Sequence, residues 1–327
     1  KRIYQTLDGG LTWIERYFTN GTGNEFQYAT GNDSLVFHTS TSGFYKSTNG
    51  GFSWTQVYSD KCWDIDFHPT DSSIAYLLKS NSVATRSELF KSTDGGNSWA
   101  LQDSGYYDPI NQGANNDFGG KIAVTPAAPN RVYVALIGNS KAGDDGWISV
   151  YRSDDAAATW TNPSGQDGGP YGAINSNSKW NIAAYSSGYH QGFFNFDLEA
   201  STTDSNKIWV ASIRLSESSD GGQTFNSIGA ANSNRLNDIH ADVQDIEVVG
   251  SDIWVASDGG INYSSNELIS HVALNRGIQA AHFWGFNTGW NEDSYTGGKY
   301  HDGTTGWFES YSQGKAYNIG GVEEASG

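Results

Sequence analysis

Ser92-Thr-Asp-Gly-Gly-Asn-Ser-Trp99 is one of five copies of a single octapeptide pattern. The others are Thr6-Leu-Asp-Gly-Gly-Leu-Thr-Trp13, Ser47-Thr-Asn-Gly-Gly-Phe-Ser-Trp54, Ser153-Asp-Asp-Ala-Ala-Ala-Thr-Trp160 and Ser218-Ser-Asp-Gly-Gly-Gln-Thr-Phe225. A partial sixth reads Ala256-Ser-Asp-Gly-Gly-Ile261. The copies stand roughly 40 to 65 residues apart, the period of a unit that buries its core only by stacking on its neighbours. Each residue type has a reason to be in a turn. Asp8, Asn49, Asp94, Asp155 and Asp220 carry side-chain oxygens that accept from turn amides. The glycines permit φ > 0. Trp13, Trp54, Trp99 and Trp160 each offer a large apolar surface to bury between sheets. The pattern is therefore read as structural.

Working outward, each copy follows a short strand that ends in a polar residue: Arg2-Ile-Tyr-Gln5, Gly43-Phe-Tyr-Lys46, Glu88-Leu-Phe-Lys91 and Ser149-Val-Tyr-Arg152. Two further strands precede that hairpin. Asp64-Ile-Asp-Phe-His-Pro69 leads to Ser73-Ile-Ala-Tyr-Leu-Leu78, and Asp245-Ile-Glu-Val-Val249 leads to Asp252-Ile-Trp-Val-Ala256. Four strands per unit, repeated, predict an all-β fold, a β-propeller of four-stranded blades. The expected blades span 25–59, 62–101, 120–162, 192–229, 238–274 and 279–320, and 1–18 supplies an outer half-blade. That makes six or seven blades in one domain. The inner pair missing from the half-blade, and Lys1 in place of an initiator methionine, suggest a segment of a longer chain.

Composition narrows the function. The 327 residues carry 19 basic and 36 acidic side chains, a formal net charge of −17. Such a surface repels phosphate backbones and disfavours nucleic acid as a partner. No apolar run is long enough to span a membrane. The single cysteine, Cys62, excludes an intrachain disulfide and reads as a buried, inert thiol.

The octapeptides resemble the Asp-box, or bacterial neuraminidase, repeat. Three copies keep every element, with Ser and Thr exchanged and Asn49 in place of Asp. Ala157 replaces a glycine in the fourth, and Phe225 ends the fifth. Four further segments resemble sortilin-like proteins of Bacteroidota. They are Gly188-Tyr-His-Gln-Gly-Phe-Phe-Asn-Phe-Asp197, His240-Ala-Asp-Val-Gln244, Ser257-Asp-Gly-Gly-Ile261 and Gly297-Gly-Lys-Tyr-His-Asp-Gly-Thr304. Lys299, Tyr300 and His301 depart from the Gly-Gly-Thr-Gln-Asp-Asn-Gly usual there. The resemblance implies export, often by type IX secretion, and an extracellular or cell-surface location. It implies a glycan or a surface or secretion-system protein as partner.

A sialidase needs an arginine cluster, and the chain has 8 Arg with no Arg-Ile-Pro. No catalytic residue is assigned. With the repeat turns on the bottom face, the long loops 101–119, 136–148 and 162–191 lie on top. There Tyr106, Tyr107, Asp117, Trp147, Tyr171, Trp180 and Tyr189 suit a sugar or protein ligand, by stacking and hydrogen bonding. Self-packing of those loops is the competing reading. The alternative function is a glycoside hydrolase using paired top-face aspartates. His240 and Asp242 stand two apart at the start of an inner strand and so share a face. With His190 they form a candidate site for a divalent metal, against a structural hydrogen-bonding role. Asn115-Asn-Asp117 and Gly143-Asp-Asp-Gly146 are oxygen-rich and could hold calcium, against a solvated turn.

Overall fold

In the computed structural model, residues 2–19, 21–81, 86–106, 117–138, 147–163, 184–186, 189–190, 195–229, 235–236, 239–274, 283–288, 294–299, 303–308 and 317–320 are described. All regular structure among them is β. Strands β1 (Arg2–Gln5) and β2 (Ile14–Phe18) form a two-stranded hairpin. Blade 1 follows as β3 (Gly23–Ala29), β4 (Asn32–Ser40), β5 (Gly43–Ser47) and β6 (Thr55–Tyr58). Blade 2 is β7 (Cys62–Phe67), β8 (Ala75–Asn81), β9 (Arg86–Ser92) and β10 (Ala100–Leu101). Blade 3 is β11 (Asp117–Val124), β12 (Val132–Gly138) and β13 (Trp147–Ser153), with an Arg152–Thr161 bridge standing for its fourth strand. After a small hairpin, β14 (Ala184–Ser186) and β15 (Tyr189–His190), blade 4 is β16 (Asp197–Ala200), β17 (Ile208–Ala211), β18 (Leu215–Ser218) and β19 (Asn226–Gly229). Blade 5 is β20 (Val243–Val249), β21 (Asp252–Ser257), β22 (Gly260–Ser264) and β23 (Val272–Ala273).

Among the described residues every pairing between strands is antiparallel and between sequence neighbours, and one isolated parallel bridge joins Gly229 to Leu236. Strands β3, β7, β11, β16 and β20 line one central channel. The propeller thus has five blades rather than the expected six or seven. Counting repeats adds the hairpin β1–β2 and a further four-stranded sheet, β24 (Phe283–Thr288), β25 (Ser294–Lys299), β26 (Gly303–Phe308) and β27 (Tyr317–Gly320). Counting the described strands that line the channel adds neither.

The repeat turns build as their chemistry dictates. In the third copy, Ser92 Oγ accepts from the Gly96 amide at 2.8 Å, and Asp94 Oδ1 accepts from the Ser98 amide at 2.8 Å. Ser98 Oγ donates to Asp94 Oδ2 at 2.6 Å. These bonds hold the Asp8, Asp94 and Asp155 carboxyls at about 2, led by the hydroxyl at the fourth position on: Thr12, Ser98 or Thr159. The same bonds close a sixth turn at Ser264-Ser-Asn-Glu-Leu-Ile-Ser270, which has no glycine. The partial copy expected at 256–261 is instead the β21–β22 connection. The spacing Ser-x-Asn-x-x-x-Ser, shared with Ser47–Ser53, is the signal that marks the true turn.

The polar residue before each turn ties one blade to the next. Gln5 Nε2 donates to the Gly50 carbonyl at 2.7 Å, Lys46 Nζ to Gly95 at 2.7 Å, Lys91 Nζ to Ala156 at 2.8 Å and Arg152 to Gly221 at 3.3 Å. The hairpin β1–β2 thereby takes the place of a blade preceding blade 1. Trp54, Trp99, Trp160 and Phe225 fill the interfaces between successive units. Trp13, at the free flank of the hairpin, is 61% exposed.

In the fourth copy alanines occupy the glycine positions, with Ala156 at φ 57 and Ala157 at φ 70. A left-handed alanine costs roughly 1 kcal/mol. Ala156→Gly relieves that strain while leaving the Lys91 acceptor in place. It is expected to raise unfolding free energy by about 0.5–1 kcal/mol, because the gain is offset by the entropy of the unfolded glycine. Urea denaturation checks this, and a loss of stability would contradict it.

Candidate binding site

The inner strands carry five equivalent triplets: Glu25-Phe-Gln27, Asp64-Ile-Asp66, Lys121-Ile-Ala123, Asp197-Leu-Glu199 and Asp245-Ile-Glu247. Strand alternation sends the middle residue into the blade interface and its two neighbours toward the axis, except Ala123, which packs in the core against blade 4. Glu25, Asp64, Asp66, Asp197, Glu199, Asp245 and Glu247 consequently surround a narrow bore with Lys121. Its free volume is about 40 Å³, room for water and not for a sugar ring.

Two of these carboxylates staple adjacent blades. The Ile122 amide donates to Asp64 at 2.6 Å, and the Ile246 amide donates to Asp197 at 2.7 Å. Lys121 Nζ lies 3.0 Å from Glu25, 3.4 Å from Asp197 and 3.9 Å from Asp64. Burial works against the ammonium, but Asp197, Asp64 and Glu25 outweigh it and hold its pKa well above the usual lysine range. One lysine cannot neutralise so many acids. Desolvation pushes the Asp64 carboxyl up to about 7, with Glu25 and Asp197 adding to the effect against Lys121. Burial raises Asp66, Glu199 and Glu247, each reinforced by neighbouring carboxylates. Asp245 reaches about 6 through desolvation and then repulsion by Asp197.

Above the bore the channel widens into a cavity of about 410 Å³. All five blades contribute, among them Thr22 and Asn24, Trp63, Lys121, Phe196 and Asp245. Trp63 is clamped. Lys61 Nζ sits 3.3 Å from its ring centre, its Nε1 donates to Ser80 at 2.7 Å, and Gly119 lies on its carbons. A Cβ at Gly119 would come within 2.6 Å of the indole. Glycine there is what lets the strand reach the wall. The cavity wall thus mixes polar groups (Thr22, Asn24, Gln244) with apolar ones (Trp63, Ile137, Phe196), and Lys121 and Asp245 join it to the bore.

Three of the segments singled out in the sequence meet at this mouth. Asn195 Nδ2 donates to Asp242 at 3.2 Å, Gln244 Nε2 donates to Asp258 at 3.1 Å, and Gly259 lies against His240. Asp242 precedes β20 and has φ 59, so His240 and Asp242 do not follow strand alternation. His240 Nδ1 lies 2.9 Å from the Ala241 carbonyl. Among the described residues no group of three or more His, Cys, Asp or Glu is arranged to hold a metal.

Tyr106 is inside the protein rather than on a ligand surface. It is 7% exposed, and its ring packs 5.3 Å from Trp160 and 5.4 Å from Tyr151. Asp117 and Trp147 begin β11 and β13, and Tyr189 and His190 form β15. Tyr107, Tyr171 and Trp180 lie outside the described residues, as do Asn115, Asn116 and 143–146. Cys62 is fully buried and its thiol is pushed up to about 12 by desolvation, which leaves it inert.

No family model and no curated protein matches the chain. Solved structures do. An ancestral GH74 enzyme superposes with a TM-score of 0.51 at 12% identity, over 93% of this chain and 50% of that one. The fold is a β-propeller. At that identity the likeness speaks to fold alone, and the chain spans about half the length of that enzyme. YCF48 from Cyanidioschyzon merolae (TM-score 0.48, 11% identity, 88% of this chain and 82% of that one) and a YCF48 bound to D1 peptide (0.47, 10%, 94% and 85%) are also similar.

Sequence reading missed the channel acids and Lys121. The signal for most of the acids is the acid-apolar-acid triplet that recurs in three of the five inner strands, at 64–66, 197–199 and 245–247; no such pattern marks Lys121 or Glu25. No helix of the described residues is long and apolar enough to cross a membrane.

Proposed function

We propose that this chain is a non-enzymatic binding or surface-assembly module that takes its ligand at the channel mouth. The observation that carries the reading is the 410 Å³ cavity, to which all five blades contribute. It is large enough for a sugar unit or a peptide side chain with its backbone. The sortilin-like segments, three of which meet at this mouth, support an exported protein at the cell surface with a glycan or a surface protein as partner. The channel carboxylates argue for scaffolding over hydrolysis. Asp64 and Asp197 already accept backbone amides and flank Lys121, and the bore beneath admits no sugar.

Thr22 stands at the rim with its side chain exposed. Thr22→Trp fills the mouth without touching the bore. On glycan and peptide arrays the native chain is expected to capture a defined ligand set, and Thr22→Trp to lose it by at least about tenfold. Equal capture by both proteins would move the site elsewhere. No capture on either array would sink the binding reading.

A further inference from the structure

The side-chain polar atoms that line the mouth cavity are not balanced between donors and acceptors. Asn24 turns its Nδ2 to the Cys62 carbonyl at 2.6 Å, and Gln244 turns its Nε2 to the Asp258 carboxylate at 3.1 Å. Both partners only accept, so each amide presents its nitrogen to the protein and keeps its oxygen unengaged. Asp245, also in the lining, is exposed, and its carboxylate accepts no hydrogen bond from a described residue. Lys121 is the one cationic residue of the described lining, and its Nζ is held by Glu25 at 3.0 Å and Asp197 at 3.4 Å. What the cavity offers a ligand is therefore mostly acceptors.

Electrostatics point the same way. Below Asp245 the cavity opens onto the bore, where carboxylates outnumber Lys121. In a recess with low-dielectric walls that excess focuses negative potential on the mouth. Desolvation, with repulsion by Asp197, holds the Asp245 carboxyl up at about 6, and a cation beside it answers both. A uronate, sulfate or phosphate would be repelled. A neutral sugar would leave the charge unanswered. Trp63, Ile137 and Phe196 add apolar wall against which an aliphatic stem packs while its charged head reaches the acceptors. Lys61 lies on the Trp63 ring and is not part of the lining.

We propose that the cavity takes the charged head of a basic side chain, arginine before lysine, presented by a polypeptide partner. The head faces Asp245 and the oxygens of Asn24 and Gln244, the stem lies against Trp63 and Phe196, and the partner's backbone stays at the Thr22 rim. Arginine fits better because its five donors are spread in a plane, matching acceptors from three residues, and because its weakly hydrated guanidinium tolerates apolar walls. This rests on the reading of the mouth as the ligand site and names the class of group that enters it.

The probe is a short glycine-serine peptide, blocked at both ends, with one central arginine. It is titrated into the 327-residue chain and followed by NMR at the side-chain amides of Asn24 and Gln244 and the Trp63 indole N–H. Saturable shifts are expected. The isosteric, uncharged citrulline peptide is expected to bind at least about tenfold more weakly, and the glutamate peptide not to bind. Asp245→Asn is expected to weaken arginine binding at least about tenfold with the melting temperature kept or raised, since one carboxylate leaves a crowded ring. Asp33→Asn makes the same change in net charge beside the Gly50 turn and is expected to change nothing. Propylguanidine, the same head and stem without a backbone, is expected to bind more weakly than the peptide. Binding as tight or tighter would assign the cavity to a small amine and overturn the polypeptide partner. Equal binding of the arginine and citrulline peptides, undiminished binding in Asp245→Asn or in Thr22→Trp, or no saturation up to about 5 mM would each overturn the proposal. If the arginine peptide fails while a neutral or acidic ligand is captured and then lost in Thr22→Trp, the basic ligand is wrong and the mouth reading stands.

Discussion

Lys121→Met is expected to cost about 3–5 kcal/mol at about pH 8, more than any other single change in the channel. The reason is what remains. Glu25, Asp64 and Asp197 all lie within 3.9 Å of Lys121 Nζ. Removing the ammonium leaves three carboxylates facing one another across a narrow bore. Methionine keeps the volume, so the loss is electrostatic rather than a cavity. An exposed pair such as Arg2–Glu15 is screened by solvent and contributes little by comparison. Asp64 and Asp197 also staple blade 2 to blade 3 and blade 4 to blade 5, so repulsion between them loosens two interfaces at once. Urea denaturation at about pH 8 and about pH 5 tests this. The deficit should shrink at the lower pH, where protonation removes the unpaired charge. A deficit of the same size at both would show that Lys121 acts by packing.

The fold was legible because turn chemistry is local. A serine, an aspartate and two glycines close the same turn wherever they occur, and the tryptophan that follows must find an interface. Local reading also set its limits. The turn at 264–270 was hidden because Glu267 and Leu268 hold the left-handed conformations that glycine usually marks, at φ 52 and 61. Glu267 is held there from the preceding blade, by Ser201 at 2.6 Å and Lys207 at 3.1 Å, contacts no local pattern encodes. Tyr106 reads as a loop aromatic, yet Trp160, 54 residues on, draws it inward. The channel acids were hidden by the habit of reading strands through their apolar residues. In Asp64-Ile-Asp66 the isoleucine identifies the strand, and the aspartates report what the strand faces. Blade number is a property of ring closure, and a repeat count does not contain it.

Stability is expected to peak near about pH 4–5 and to fall toward neutrality, because two sets of carboxyls pull in opposite directions. The channel set is raised. Asp64 titrates at about 7 and Asp245 at about 6 in the folded chain, against 3.8 for an ordinary aspartate, and Asp66, Glu199 and Glu247 move the same way. Between those values the folded state holds protons that the unfolded state has released. Each step up in pH through that window therefore favours unfolding. The turn set is lowered. Asp8, Asp94 and Asp155 sit at about 2, so their contribution is complete above 3.8 and is lost as the pH falls toward 2. These aspartates are exposed and solvent screens them, so the acid limb is shallow. The neutral limb is steeper because Asp64 is buried. A tenfold difference in proton affinity between the folded and unfolded chain is worth about 1.4 kcal/mol, which puts the fall between about pH 4.5 and 7.5 at roughly 2–4 kcal/mol. Asp245 adds less, being open to solvent on one side. Urea midpoints across that range provide the measurement. Asp64→Asn separates the causes, since it removes one buried titration while its amide oxygen still accepts from Ile122. The neutral limb should flatten in that variant, and the acid limb should not move. A native protein that gains stability steadily from about pH 4.5 to 7.5 would mean that the channel carboxylates are already ionised at the lower pH. Lys121 would then be a sufficient counter-charge for them all.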